Sequence, residues 1–251
     1  HALAPDLARG QLASFCATEE GGAHPRAMAT RLETDGARLF VTGQKRFGTM
    51  ASDADVLFVL ATRGARDDGT NDLALVRVPV GARGVRVENL PATPFVPEIT
   101  HARVTLERVA VEPRDVFPGD GYARYLKPFR THEDLHVHAA VLGHLLRIAR
   151  LHGWPRDAIE RALALVVAIR ALLDARVGAA GTHLALAGVL AATGRWLEES
   201  EAHWSLVDAD VRARWLRDRA LLGVAGSARA RRTERAWESI LAGRTSGKAE
   251  A

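Results

Sequence analysis

Cysteine occurs once in these 251 residues, at position 16, so no disulfide can close within the chain and no cysteine-built zinc site can form. That usage suits a reducing compartment, and a cytoplasmic location is the expectation. Long apolar runs are also missing. The best candidate, Val177 to Gly194, is rich in alanine and glycine, holds His183 and is bounded by Arg176 and Arg195, so it reads as a buried helix and not as a membrane span. The opening residues His1 to Gly10 lack the apolar core of a secretory signal. No Walker-type loop, Gly-x-Gly-x-x-Gly run or Gly-x-Ser-x-Gly elbow is present, which removes the sequence signatures of phosphate-loop enzymes, dinucleotide-binding βαβ units and serine hydrolases. There is no internal repeat. Lysine is scarce, so the net charge of +4 comes mostly from arginine. A basic balance attracts anions, whether nucleic acid, anionic lipid or a nucleotide-bearing cofactor, although a solvated arginine surface produces the same numbers.

What is present falls into two halves. From about Leu12 to Val116 the apolar period is close to two, as in Arg38-Leu39-Phe40-Val41-Thr42, Val56-Leu57-Phe58-Val59-Leu60 and Leu73-Ala74-Leu75-Val76. Turn signals at Asp35-Gly36, Asp67-Asp68-Gly69, Gly81 and Arg83-Gly84 separate the runs. Regularly spaced short strands imply a small antiparallel barrel or sandwich. Beyond about Thr131 the period becomes helical. Helices are expected over about His132 to Trp154, Pro155 to Gly178, Thr182 to Ser205 and Val211 to Leu241, the last with a break at Gly223 or Gly226. Short links between long helices predict an up-down bundle. The expected fold is therefore α+β: a β-domain over residues 1–120 and a four-helix bundle over 121–251.

The chemistry concentrates in two segments, Phe15-Cys16-Ala17-Thr18-Glu19-Glu20-Gly21-Gly22-Ala23-His24-Pro25 and Gly43-Gln44-Lys45-Arg46-Phe47-Gly48-Thr49. A planar cofactor with a polar edge needs backbone N–H groups freed by glycine, hydroxyls for ring heteroatoms and an aromatic wall, and both segments offer such parts. Their order and spacing resemble the middle domain of acyl-CoA dehydrogenases, in which a Thr-Glu-Pro-Gly-Ala-Gly-Ser-Asp loop precedes a Lys-x-Trp-x-Thr strand. Thr100 to Pro113 resembles that family's closing strands, and the sheet-then-bundle order is its middle-plus-C-terminal arrangement. The family's N-terminal helical domain has no counterpart in these residues. The resemblance implies FAD as cofactor. Phe15, Ala17 and Thr18 would line the pyrimidine side of the ring. Phe47 would stand for the tryptophan that packs on the flavin, and Thr49 for the threonine near N5. Gly22 and His24 would belong to the phosphate-facing loop.

The same resemblance implies α,β-dehydrogenation of an acyl thioester, presented on CoA or on a carrier protein. A separate acceptor protein would take the electrons, and the subunits would form a homodimer or homotetramer. A carboxylate must remove the α-proton. Glu133, in Glu133-Asp134-Leu135-His136-Val137-His138-Ala139-Ala140, falls where a minority of members carry that base, while the commoner Tyr-Glu-Gly-Thr motif is replaced here by Leu221 to Ser227. The Arg-x-x-Phe-Gly segment that grips a neighbour's pyrophosphate is also missing, since Arg150-Leu151-His152-Gly153-Trp154-Pro155 runs into the next helix. A non-catalytic relative with a degenerate flavin site is the alternative. A remote one is a zinc hydrolase, because His132-Glu133-Asp134-Leu135-His136 fits His-Glu-x-x-His, though at a helix start, where Thr131 and Asp134 read as caps. The arginines between Arg212 and Arg235 read as the solvated face of an amphipathic helix and not as a nucleic-acid site.

Overall fold

A computed structural model of the chain describes residues 10–21 and 25–246. Gly22 and His24 therefore lie outside the described residues. The chain divides into two compact units, His1–Lys127 and Pro128–Ala251.

The first unit is one seven-stranded sheet: β1 (Ala13–Cys16), β2 (Arg31–Asp35), β3 (Arg38–Thr49), β4 (Val56–Ala65), β5 (Asn71–Pro79), β6 (Val85–Asn89) and β7 (His101–Val111). The order is β1-β4-β2-β3-β7-β6, with β5 on the free side of β4. The pairs β2–β3, β4–β5 and β6–β7 are antiparallel, the first two closing through short turns at Gly36 and Asp68-Gly69. The sheet is nevertheless mixed, since β1 runs parallel to β4 from Ala13↔Val56 to Cys16↔Val59. Alternation alone does not distinguish the two senses. The near-continuous apolar run Val56 to Ala61 marks β4 as the strand covered on both faces. Its Leu57 and Val59 enter a core with Cys16, Val41, Val76, Val104 and Val109. Leu60 turns to a second cluster with Met28, Leu73, Leu75 and Leu126. A π-helical turn, Gly121–Leu126, closes that second cluster, its N-terminal N–H groups at Tyr122 and Ala123 donating to Asp120 Oδ1 at 2.7 and 3.2 Å.

Strand β3 is bent by two register shifts against β7, at Val41/Gly43 and at Lys45/Gly48. The first needs glycine: Gly43 has φ +152°, and a Cβ there would stand 2.6 Å from Thr30 Cα. The second bulge carries Arg46 and Phe47.

The second unit contains α1 (Lys127–Leu151), α2 (Arg156–Leu173), α3 (Ala180–Glu199), α4 (Ala209–Asp218) and α5 (Gly226–Ser246). The fourth expected helix is split: a 3-10 turn at Arg219–Gly223 and Ala225 in the left-handed region separate α4 from α5. The first helix starts earlier than periodicity suggested, because the π-helical turn runs straight into it and Pro128 sits in its first turn, where no N–H is needed. It ends at Gly153 (φ +63°), beyond which the Trp154 N–H closes back on Ala149 O at 2.9 Å. Trp154 itself is buried with Trp196, Trp204 and Trp215, the last two stacked 5.6 Å apart.

Candidate functional site

The two singled-out segments meet. Strand β1 leaves the sheet at Cys16, and the end of β3 lies beside it. Ser14 Oγ donates to Thr49 O at 2.8 Å, and Arg46 N–H donates to Thr18 O at 2.8 Å. Ser14 and Cys16 point into the core, so Phe15 and Ala17, one step out of phase, face the opposite side and pack half-buried on the Met28–Leu60–Leu126 cluster. Thr18 and Thr49 are exposed. Gly48 lies over Cys16, whose Sγ would be 3.4 Å from a Cβ at that position. Burial pushes the Cys16 thiol up to about 11, against the Ser14 hydrogen bond and the nearby Lys45 charge, so it is an inert core group and not a nucleophile.

Phe47 is the unusual residue. It occupies the second bulge at φ +58° and presents its ring to solvent, 49% exposed. A non-glycine side chain in that region costs about 1–2 kcal/mol, and an exposed aromatic gains little burial to offset it. The ring is held from the sides: the Arg46 guanidinium lies 5.1 Å from its centroid, and the His101 ring meets it edge-on at 6.4 Å. Arg46 is in turn fixed by Glu20.

Beneath this surface lies a pair that sequence reasoning did not assign. Lys45 has no exposed surface, and its Nζ donates to Glu19 Oε1 at 2.7 Å. Glu19 also accepts from Ala29 N–H at 2.6 Å, Thr30 N–H at 3.0 Å and Thr30 Oγ1 at 2.6 Å. One carboxylate thus ties the loop after β1, the segment before β2 and the interior of β3. Burial alone would raise the Glu19 carboxyl, but the hydrogen bonds from Lys45, Thr30 and Ala29 outweigh it and hold it below its ordinary 4.5. For Lys45, burial wins over the support of Glu19 and lowers the ammonium below its ordinary 10.5. The signal was available: Lys45 continues the inward alternation of Val41 along β3, and a lysine on a buried phase demands a carboxylate.

Glu133 belongs to the helical unit. It is exposed on the second turn of α1, although neighbouring chain bulk strips part of its hydration. That desolvation, with the adjacent Asp134 charge and against Arg130, raises its carboxyl above the ordinary 4.5. The capping role expected of Thr131 and Asp134 is corrected, because α1 begins at Lys127 and both residues are buried inside it. Asp134 instead takes Arg229 Nη1 at 3.1 Å and pairs with Arg232. Those two arginines, expected on a solvated face, turn inward. His132 and His136 share a face, with His136 Nδ1–H donating to His132 O at 2.7 Å. Among the described residues no group of three metal-ligating side chains occurs, so the zinc pattern finds no third ligand. No helix among them is long and apolar enough to cross a membrane.

A mixed sheet followed by helices is a fold this chain shares with solved acyl-CoA dehydrogenases. Residues 14–109 match the family model of the acyl-CoA dehydrogenase middle domain. A probable acyl-CoA dehydrogenase from Mycobacterium abscessus matches with a TM-score of 0.71 at 18% identity, over 92% of this chain and 70% of that one. FkbI, named for biosynthesis of the methoxymalonyl extender unit of a polyketide immunosuppressant, matches at 0.70 and 21%, over 92% and 70%. Glutaryl-coenzyme A dehydrogenase in complex with glutaryl-CoA matches at 0.60 and 17%, over 82% and 60%. At such identities these likenesses concern the fold. No curated protein matches the chain. Residues 14–109 are similar to the acyl-CoA dehydrogenase middle domain, and the chain as a whole shares the fold of these solved structures.

Proposed function

We propose that the chain binds FAD and takes part in α,β-dehydrogenation of an acyl thioester. The observation that carries this reading is the junction of β1 and β3, where a strained, exposed Phe47 stands beside the exposed Thr18 and Thr49. An aromatic face kept out of the core at the cost of backbone strain fits a planar ligand better than it fits any packing role. Phe47 would stack on the ring. The hydroxyls of Thr18 and Thr49, with the backbone around Phe15 and Ala17, would hydrogen-bond its polar edge, and Gly22 and His24 would approach the phosphates. Bound FAD would supply the hydride acceptor. Glu133 would take the α-proton onto its carboxylate, for which a raised proton affinity is the right direction. The substrate would be an acyl-CoA or an acyl-carrier thioester, the electrons would pass to an acceptor protein, and the working form would be a homodimer or homotetramer.

The second reading, a relative that keeps the fold without the chemistry, is favoured by one observation: Trp154 fills the core where a pyrophosphate-gripping segment would otherwise follow α1. The visible spectrum of the purified protein separates the two. Flavin bands, or uptake of added FAD, support the enzyme. A colourless protein that ignores added FAD supports the relative. With flavin present, Glu133→Gln is expected to lower turnover of an acyl thioester by about 10²-fold or more while FAD stays bound. Unchanged turnover removes Glu133 from the mechanism.

A further inference from the structure

We propose that the helical unit carries a second small-molecule site, for a compact monocarboxylate with an apolar body, between α3 and α5. A cavity of about 210 Å³ opens there. His183, Leu186, Ala187 and Leu190 line it from α3, at the i, i+3, i+4, i+7 spacing of one helix face. From α5 it is lined by Arg229, Ala230, Arg232 and Thr233. One wall is therefore apolar, and the other includes the two arginines Arg229 and Arg232.

Charge argues for an anion. Arg229 and Arg232 are mostly buried, with 16% and 20% of their side-chain surfaces exposed. Both are paired with the single carboxylate of Asp134. Arg229 also donates to Leu222 O at 2.5 Å and Arg232 to Thr131 Oγ1 at 3.4 Å, but these partners are neutral. His138, whose Nδ1–H donates to Asp134 O at 2.8 Å, is held below its ordinary 6.5 chiefly by burial, so its neutral form is favoured. Two positive charges thus share one negative. The excess sits badly, because Arg229 lies in the first turn of α5, where the helix dipole already presents its positive end. A ligand carboxylate would neutralise the remaining charge in a partly dehydrated place, where a charge-assisted pair is strongest.

Size argues for a small one. A cavity of about 150 Å³ accommodates benzene, so 210 Å³ suits about eight non-hydrogen atoms. A six-carbon carboxylate has that bulk, with its chain along Leu186, Ala187 and Leu190 and its head at the arginines. This site lies wholly within the helical unit and stands independently of FAD binding.

The test is calorimetric titration of the full chain with hexanoate, with hexan-1-ol and inorganic phosphate as controls for tail and head. Saturable hexanoate binding at least about tenfold tighter than either control is the expected result. Ala187→Phe, which fills the cavity from the α3 side, and Ala230→Phe, which narrows it from the exposed side, should each weaken hexanoate by about tenfold or more. Because Ala230 is exposed, its variant remains informative if Ala187→Phe fails to fold. Absence of hexanoate binding up to about 10 mM overturns the proposal. So does equal binding of phosphate, or binding to Ala230→Phe as tight as to the parent. Loss of FAD binding has no bearing on any of these results.

Discussion

Glu19→Gln removes one charge from the buried pair and little else. In the folded chain the Lys45 ammonium has no contact with water, and its one anionic partner lies at 2.7 Å. At an effective dielectric of about 20 the attraction is about 6 kcal/mol before desolvation is subtracted. Breaking such a pair from one side strands the other charge and costs about 3–5 kcal/mol. With the amide oxygen of Gln still able to accept, the loss should lie near 3 kcal/mol, a more than 100-fold fall in the folded-to-unfolded ratio. By circular dichroism in urea, the midpoint should drop by about 1–2 M with the slope unchanged. Lys45→Met, which removes the charge and keeps the volume, should cost much less, about 1 kcal/mol, because Glu19 retains Ala29, Thr30 and some water. The double variant should be more stable than Glu19→Gln alone. A Glu19→Gln protein within about 1 kcal/mol of the parent, or strictly additive losses, would refute the reasoning. The pH dependence has a fixed sign. The folded Glu19 carboxyl titrates below 4.5, so its contribution is complete above that value and is lost as pH falls through the folded value. The folded Lys45 ammonium titrates below 10.5, so the unfolded chain binds the extra proton between the two values and stability rises with pH there. Glu19→Gln should flatten the acid limb.

Four further outcomes are expected. Phe47→Gly relieves the left-handed strain, so its urea midpoint should match or exceed that of the parent while FAD affinity falls by about tenfold or more; a destabilised variant with intact FAD binding would assign Phe47 to packing. Gly43→Ala drives a Cβ against the Thr30 backbone and should cost about 2 kcal/mol or more by the same assay. Asp134→Ala leaves two mostly buried guanidiniums without a carboxylate and should lower stability by about 2–4 kcal/mol, read by thermal unfolding. Cys16, buried and with its thiol pushed up to about 11, should resist a thiol reagent at neutral pH until denaturant is added; rapid labelling of the native chain would contradict its placement.

The two-part order of the fold was legible because period-two and helical patterning respond to burial on one face, which sequence records directly. The parallel pairing of β1 with β4 was not, since parallel and antiparallel neighbours leave the same alternation. Nor was the early start of α1, where a π-helical turn capped by Asp120 carries the chain smoothly through Pro128. At the site, Phe47 was visible as an aromatic between two polar segments, but its left-handed backbone was not, because phenylalanine rarely adopts it without tertiary support. Arg229 and Arg232 were misjudged as surface charge. Helical spacing places them on a polar face, and only the tertiary neighbour Asp134, 95 and 98 residues away in sequence, turns them inward.

The central claim is that the end of β1 and the bulge of β3 form one wall for a flavin ring. Backbone hydrogen exchange with and without added FAD tests it most directly. The account predicts that amides of residues 15–18 and 46–49 slow together on FAD addition. Unchanged exchange at both segments while FAD binds, or protection confined elsewhere, would contradict it.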